Sequence, residues 1–328
     1  MAAEGSRKVV IAALAGNVAI AMCKFVAALV SGSTATLAEA VHSVADSGNQ
    51  GLLLLGIYLA SKPPSPRYPF GRASERYFWP FVVPLILFSL GGAFAIYEGV
   101  HHLLEGVEPI TIIDRTFLGI HFHFSSNIVN YIVLGTSFFF EAMSFRVAFR
   151  EFKETTHGKP VLQAFFEARD PTVPLVLAED TTALVGLGLA LAAVILRATT
   201  GLAFFDPLGS VLIGLLLAGV AIMLASVTHG LLIGKTVTDE DRAKVIEIAQ
   251  GTPGVVRVTQ LLGIHLGPDV VVLALKVAFT PKTAVEDVEE TTNEMERRLR
   301  KELPHMKKIF IEPDSHGDGR GLDKPDIL

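Results

Sequence analysis

The sequence predicts an α-helical membrane protein with six transmembrane helices, followed by a small cytoplasmic domain of helices and strands. Half of the 328 residues are hydrophobic, and in the first two-thirds of the chain they form long runs. Charged residues instead crowd the last third, between short β-branched runs. The net charge of −5, with no basic stripe, argues against a nucleic-acid partner.

Six stretches are long and apolar enough to cross a bilayer, which takes about 20 residues for about 30 Å of hydrocarbon. They are Val9–Val30, Ala35–Ala60, Phe78–Leu104, Ile128–Phe149, Val173–Leu196 and Pro207–Ile233. The first is interpreted as a span and not a signal peptide, because no small-residue cleavage pattern closes it. The lack of a presequence favours a bacterial plasma membrane over an organelle.

The loops between these stretches alternate in charge. Basic residues concentrate between the second and third spans and between the fourth and fifth, whereas the connection from the third to the fourth is acidic. Basic loops stay in the cytoplasm. We therefore predict a multi-pass protein with both termini cytoplasmic.

The chain after residue 234 changes to a pattern of short helices and strands. A capped helix, a hairpin, a charged amphipathic helix and a last strand follow in order: Thr238–Gln250, Val255–His265, Val270–Phe279, Val285–Leu303 and Lys308–Ile311. This α-β-β-α-β order suits a two-layer domain. The predicted organisation is a membrane domain at 1–234, a cytoplasmic domain at 235–314 and a flexible tail at 315–328.

Ionisable residues inside spans are costly, so each indicates a functional site. The second span carries Glu39, His42 and Asp46, whose spacing places all three on one helix face. The fifth span carries the adjacent acids Glu179 and Asp180. Counted along each helix, His42, Asp46 and Asp180 fall near the middle of the membrane.

One imidazole and several carboxylates can form a tetrahedral site for zinc, although they also suit manganese, iron or cobalt. We predict His42, Asp46, Asp180 and Glu179 as the metal ligands. Because neighbouring helical residues point about 100° apart, the sequence leaves open which of the two adjacent acids is the direct ligand. A structural hydrogen bond between His42 and Asp46 is the alternative interpretation.

Three further polar residues lie within spans. Glu39 is a candidate to orient the imidazole, or else a protonated or outward-facing acid. Glu141 in the fourth span is a candidate proton carrier, with an ion pair to Arg146 or Arg76 as the alternative. Asn17 in the first span is a weaker candidate, since such residues more often bond another helix.

The motifs around these residues resemble those of the cation diffusion facilitator family. The stretch "STATLAEAVHSVADSGNQG" at Ser33–Gly51 resembles its second-span signature, and "RYPFGRASERY" at Arg67–Tyr77 resembles its following loop. The stretch "RDPTVPLVLAEDTTALVG" at Arg169–Gly186 is most similar to the zinc transporter 9 branch. The resemblance covers residues 7–314, nearly the whole chain.

This resemblance implies a homodimer, proton-coupled export of a divalent cation and a ferredoxin-like fold for the cytoplasmic domain. This sequence departs from the family's pattern in the fifth span, because the family's ligand positions there fall on Thr182 and Gly186, neither of which is a useful ligand. The acids Glu179 and Asp180 lie about one turn nearer the cytoplasm. The positions matching the family's metal sites in the cytoplasmic domain hold poor ligands, so we expect that domain to dimerise without metal.

The predicted function is proton-coupled efflux of a divalent cation, zinc first, by alternating access. Cation, protons and lipid bilayer are then the partners, and no cofactor is needed beyond the transported ion. The alternative is a non-transporting scaffold in the membrane that senses metal or binds a partner. An enzyme is not expected, and the motif GxxxxGK[ST] of nucleotide-driven pumps does not occur.

Overall fold

The computed structural model describes residues 2–31, 34–105, 112–117, 120–156 and 158–314. Within them, the side chains of residues 2–4, 28, 30–31, 34–39, 41–42, 45, 87–88, 90 and 112–130 are outside the description. The chain divides into two compact units. The first contains residues 1–62 and 75–229, and the second contains 63–74 and 230–328.

The first unit is built mainly from helices. In chain order these are α1 (Ala2–Ser31), α2 (Thr34–Ala60), α3 (Glu75–Ile86), α4 (Ala93–Glu105), α5 (Ser126–Thr155), α6 (Val161–Glu167), α7 (Thr172–Thr200) and α8 (Phe205–Leu232). Of these, α1, α2, α5, α7 and α8 are the long ones. Four described helices contain a stretch long and apolar enough to cross a membrane: Gly5–Ala27, Tyr131–Thr155, Thr172–Thr200 and Phe205–Leu232. These confirm a helical membrane domain, while the count of six spans stays a prediction.

The predicted third span, Phe78–Leu104, is not one regular helix. A π-helical segment, Leu87–Gly92, separates α3 from α4. Pro80 and Pro84 lie inside α3 and cannot donate the backbone hydrogen bonds of an α-helix. The regular pattern is therefore interrupted just after them, and π-helical turns often occur at such interruptions.

Two elements of this unit differ from the sequence expectations. The connection before α5 contains an antiparallel hairpin, β1 (Ile112–Phe117) and β2 (Ile120–Ser125), in a stretch that was interpreted as loop. The short helix α6 was not predicted either, because its seven residues are too few to show a helical period.

Helix α1 lies at the centre of the first unit, where it packs against α2, α5 and α7. Helix α8 approaches α4 through glycines: a Cβ on Gly99 would lie 2.8 Å from the carbonyl oxygen of Pro207, and one on Gly214 2.8 Å from that of Gly92. Such close backbone approach depends on small residues. The α4–α8 pair is therefore closely packed.

The second unit is a two-layer domain. It contains α9 (Asp239–Gln250), β3 (Val255–Gly267), β4 (Val270–Phe279), α10 (Val285–Glu302) and β5 (Met306–Asp314), with sheet order β3-β4-β5. Strand β4 pairs antiparallel with β3 and parallel with β5. Its alternate side chains from Val271 to Val277 are buried against Met295 and Leu299 of α10. The predicted α-β-β-α-β order is observed, while the ferredoxin-like fold stays a prediction.

Residues 63–74, which join α2 to α3, belong to this second unit. The ring of Phe70 meets Phe310 of β5 edge to face at 6.5 Å. The Ser74 hydroxyl donates to the Leu266 carbonyl at 2.9 Å, and Ala73 lies against Gly267. We call residues 63–74 the strap. Domain boundaries at 234 and 314 stay predictions, and the predicted tail at 315–328 lies outside the described residues.

Candidate functional site

Helix α2 presents a polar face to the interior of the first unit. Ser43, Asn49 and Gln50 are all buried there, and Gln50 is only 2% exposed. Asp46 is partly buried and lies one turn before Gln50 on the same face. His42 lies one turn before Asp46 along the helix, but the side chains of His42 and Glu39 are outside the described residues.

The two adjacent acids of α7 contact two different helices. The Gln50 amide nitrogen Nε2, on α2, donates to Glu179 Oε2 at 2.9 Å. Asp180, 4% exposed, lies beside Ser144 of α5 without completing a hydrogen bond of normal geometry. Because consecutive residues of a helix diverge by about 100°, one acid reaches α2 while the other faces α5. Both side chains therefore turn into the helix bundle.

Glu141 joins this group from α5. Its carboxylate interacts electrostatically with Asp180 and Asp46, and with the ammonium group of Lys24 on α1. Glu179 likewise interacts with Asp180, Asp46 and Glu141. Four carboxylates from three helices therefore form one electrostatic group, which we call the carboxylate cluster.

The charge of the carboxylate cluster is unbalanced. Among the described interactions of Glu141, Glu179 and Asp180, Lys24 is the one cation, and it acts on Glu141. Like charges interact strongly in the low dielectric of a membrane interior, so four ionised acids beside one ammonium repel each other. Protons or a bound cation would relieve that repulsion, and the two would compete for the same oxygens.

Several buried side-chain oxygen atoms on the helices of the cluster have no hydrogen-bond partner. Those of the described membrane helices belong to α2, α5 and α7: Asn49 Oδ1, Gln50 Oε1, Ser137 Oγ, Ser144 Oγ, Glu179 Oε1 and Asp180 Oδ2. A buried oxygen without a hydrogen bond is rare and costs free energy. Of these atoms, Glu179 Oε1 and Asp180 Oδ2 belong to the acids of the cluster, and carboxylate oxygens fit the coordination of a hard or borderline cation, directly or through water.

The described side chains do not by themselves complete a metal site. No three His, Cys, Asp or Glu side chains among them lie close enough together to hold one ion. The structure brings Asp46, Glu179, Asp180 and Glu141 within electrostatic range of one another, but it does not test the four-ligand set, which includes His42. The ligand assignment therefore stays a prediction.

The remaining sequence candidates are placed as follows. Arg76, offered as an alternative partner of Glu141, instead pairs with Asp170. Asn17 is partly buried on α1, next to Gly16, where that helix passes Phe140 and Ser144 of α5. Its role as a polar neighbour of the site is untested.

Sequence reasoning missed the neutral polar residues of the site. Gln50 lies four residues after Asp46, and Ser137 and Ser144 lie four before and three after Glu141. Their signal was available, since i+3 and i+4 spacings share a helix face with the acids. Apart from Asn17, the sequence candidates are all ionisable residues, and Gln50 and the two serines are not among them.

The N-terminal end of α7 is closed by an ion pair and an apolar layer. The Arg76 guanidinium of α3 pairs with Asp170, which also accepts from the Thr172 backbone nitrogen at 3.2 Å and from the Thr172 hydroxyl at 2.8 Å. The Ser6 hydroxyl of α1 donates to the same carboxylate. Beside this pair lies an apolar layer whose buried members include Val9, Val10, Leu53, Val83, Ala148, Phe152, Leu175 and Val176.

Comparisons with known proteins agree with this architecture. Residues 10–233 match the family model for the cation efflux transmembrane domain, and residues 237–316 match the model for the cation efflux protein cytoplasmic domain. Each of the two units is thus mostly covered by one of the models.

Individual relatives come from a plant, an animal and a bacterium. Metal tolerance protein C4 of Arabidopsis thaliana is 29% identical over 97% of this chain and 65% of its own length. The human mitochondrial proton-coupled zinc antiporter SLC30A9 is 30% identical over 80% of this chain and 44% of its own length. Magnetosome protein MamB of Paramagnetospirillum magneticum is 23% identical over 92% of both chains.

The chain spans less than two-thirds of the length of the plant and human relatives. The transmembrane family model nevertheless matches more than half of this chain. Together with the match of the cytoplasmic-domain model, this shows that the chain belongs to the cation efflux family, the cation diffusion facilitators.

Proposed function

We propose that the protein exports a divalent cation, zinc first, across a membrane in exchange for protons. The observation that carries the proposal is the carboxylate cluster, which gathers buried and partly buried acids from α2, α5 and α7 near the ammonium group of Lys24. A cluster of this charge attracts a divalent cation. Protonation of the same acids would release it, which couples the two fluxes.

The proposed ligands are Asp46, Glu179 and Asp180 together with His42. A neutral imidazole and ionised carboxylates bind the ion, and protons arriving from the opposite side displace it. The name of the human relative, a proton-coupled zinc antiporter, supports both the cargo and the coupling. In our proposal Glu141 carries a proton, since it lies within electrostatic range of three of the ligands, Asp46, Glu179 and Asp180.

Alternating access requires that the site open to one side at a time. The apolar layer around Val176 and the Arg76–Asp170 ion pair lie at the predicted cytoplasmic end, about one and about two and a half helical turns before Glu179 in the chain. This packing supports a state in which the cytoplasmic end is shut. Opening it would require α3 and α7 to separate at the ion pair.

The wider arrangement is part of the same proposal. Six spans, both termini in the cytoplasm and a homodimer joined by the cytoplasmic domain agree with the loop charges and with the matched family models. The full-length coverage of MamB supports a bacterial membrane as the location.

Flux measurements in sealed proteoliposomes test the proposal. An imposed proton gradient should drive zinc transport by the wild-type protein, and Asp46→Ala should abolish it. Asp239→Asn is the matched control, because it removes an exposed acid of α9 and should leave the flux unchanged. Equal zinc flux in wild-type and Asp46→Ala vesicles would remove the site from the mechanism.

A membrane scaffold that binds metal without transporting it is the second candidate. It is favoured by one observation, that no three described His, Cys, Asp or Glu side chains converge on one ion. The same vesicles distinguish the two. Zinc binding without zinc-dependent proton movement would support the scaffold.

A further inference from the structure

The bonded partner of Glu179 on α2 is Gln50, one helical turn from Asp46. Gln50 Nε2 donates to Glu179 Oε2 at 2.9 Å, and the two residues are 129 positions apart in the chain. In the predicted orientation α2 runs inward, so Gln50 lies about 6 Å nearer the cytoplasm than Asp46. The fifth-span acids are displaced in that same direction from the positions where the family resemblance implies ligands.

The hydrogen bond involves one polar atom of each side chain, Nε2 of Gln50 and Oε2 of Glu179. Gln50 Oε1 and Glu179 Oε1 are both buried and both without a hydrogen-bond partner. Gln50 is only 2% exposed, so water does not substitute freely for the amide. A hydrogen bond to a charged carboxylate in such surroundings is stronger than one between neutral groups.

We infer that Gln50 is a positioning residue that fixes the Glu179 carboxylate against α2 and leaves Glu179 Oε1 facing the transported cation. This inference rests on the proposed function. A glutamate side chain has three rotatable bonds, and a fixed rotamer reduces the entropy that is lost when an ion binds. With the amide removed, Glu179 is no longer fixed and the cation loses a preformed ligand.

The amide at Gln50 also suits this task better than a charged group. A lysine there would neutralise the carboxylate permanently and compete with the cation, whereas another acid would add to the repulsion in the cluster. A neutral donor orients Glu179 and leaves its negative charge available to the cargo.

A purely structural role for the Gln50–Glu179 bond is the competing explanation. It would lower stability on removal without changing how tightly the protein holds zinc. Asn49 offers the matched comparison, because it is the next residue of α2, is equally buried and also carries an unpartnered amide oxygen, yet has no recorded bond to Glu179. Gln50→Met and Asn49→Leu each replace a buried amide by an apolar side chain of similar size.

The test uses the full-length protein in proteoliposomes, with zinc as the probe. Gln50→Met should raise the KM for zinc about tenfold, a factor that corresponds to about 1.4 kcal/mol, with a smaller change in kcat. Asn49→Leu should leave KM within about twofold of wild type. In a Glu179→Ala background, Gln50→Met should cause no further change, because the group that it positions is gone.

The outcomes separate this inference from the proposed function. If the wild-type protein transports zinc but Gln50→Met and Asn49→Leu raise KM equally, Gln50 has no specific role and the inference is wrong. The inference is also wrong if Gln50→Met still raises the KM for zinc in the Glu179→Ala background. If the wild-type protein neither binds nor transports zinc, the proposed function fails, and the positioning role fails with it.

Discussion

The ion pair between Arg76 and Asp170 leads to a prediction about stability. Arg76 is 6% exposed and joins the start of α3 to the residues that precede α7. Asp170 accepts three further hydrogen bonds, from the Thr172 backbone nitrogen and hydroxyl and from Ser6, whereas Arg76 donates one to the Ser6 hydroxyl oxygen at 3.3 Å. We therefore expect substitution of Asp170 to lower the free energy of unfolding by more than substitution of Arg76 does.

The expected magnitudes follow from what each substitution leaves behind. Asp170→Ala leaves a buried guanidinium without its carboxylate, at a cost of about 3–5 kcal/mol, and removes the acceptor of the Thr172 backbone nitrogen and hydroxyl, which contributes about 1 kcal/mol more. Arg76→Met leaves Asp170 with its other hydrogen bonds, so the cost should be about 1–3 kcal/mol. The double variant should be no less stable than Asp170→Ala alone, because it no longer contains the Arg76 guanidinium that Asp170→Ala leaves without a carboxylate.

The chain provides its own probe for this measurement. Its single tryptophan, Trp79, lies on α3 close to Arg76, and its indole nitrogen donates to Glu75 at 2.9 Å. Denaturant unfolding of the purified full-length protein, followed by Trp79 fluorescence, reports on the first unit. The reasoning is refuted if the two single costs add in the double variant within about 0.5 kcal/mol, or if Arg76→Met is as damaging as Asp170→Ala.

Three further predictions follow from the packing, the helix cap and the metal assignment. Gly99→Ala should destabilise the α4–α8 pair, because the new Cβ would lie 2.8 Å from a carbonyl oxygen of α8, whereas Gly135→Ala, with open space around it, should be neutral or stabilising by up to about 1 kcal/mol in thermal unfolding. Equal effects of the two would contradict the packing. Thr238→Ala should cost about 1 kcal/mol in unfolding of the second unit, because its side chain accepts from the backbone nitrogen of Asp241 at the start of α9; an unchanged midpoint would rule out the cap. After dialysis, elemental analysis of Asp46→Ala should find no retained zinc, because the cytoplasmic domain is predicted to hold none, and zinc at the wild-type ratio would place a site elsewhere.

The sequence predicted those features whose signal is local and periodic. Long apolar runs predicted α7 and α8, and the β-branched run Val270–Phe279 predicted the strand β4. The third span was predicted as one helix because hydropathy does not respond to the two prolines that interrupt it. The hairpin β1–β2 is not predicted, because the acidic charge that distinguishes the connection between the third and fourth spans is not a signal for a strand.

The candidate site was predictable only in part. Intramembrane charge pointed to Asp46, Glu179, Asp180 and Glu141, and the structure brings these four together electrostatically. The partner of each acid was not predictable, because it depends on the position of α7 along the length of α2 and on the rotation of each helix about its own axis. Gln50 is the clearest case, since nothing in its own neighbourhood in the chain indicates a bond to a residue 129 positions away.

The strap has a practical consequence for work on the cytoplasmic domain. A fragment cut at Gly230 would keep every strand of the β3-β4-β5 sheet but would lose the twelve residues that cover part of it. Phe310 would then lose its aromatic neighbour, and the Leu266 carbonyl its hydroxyl donor. We expect such a fragment to aggregate more readily and to be less stable than the same residues within the whole chain. A synthetic peptide of residues 63–74, added separately, should recover part of the lost stability.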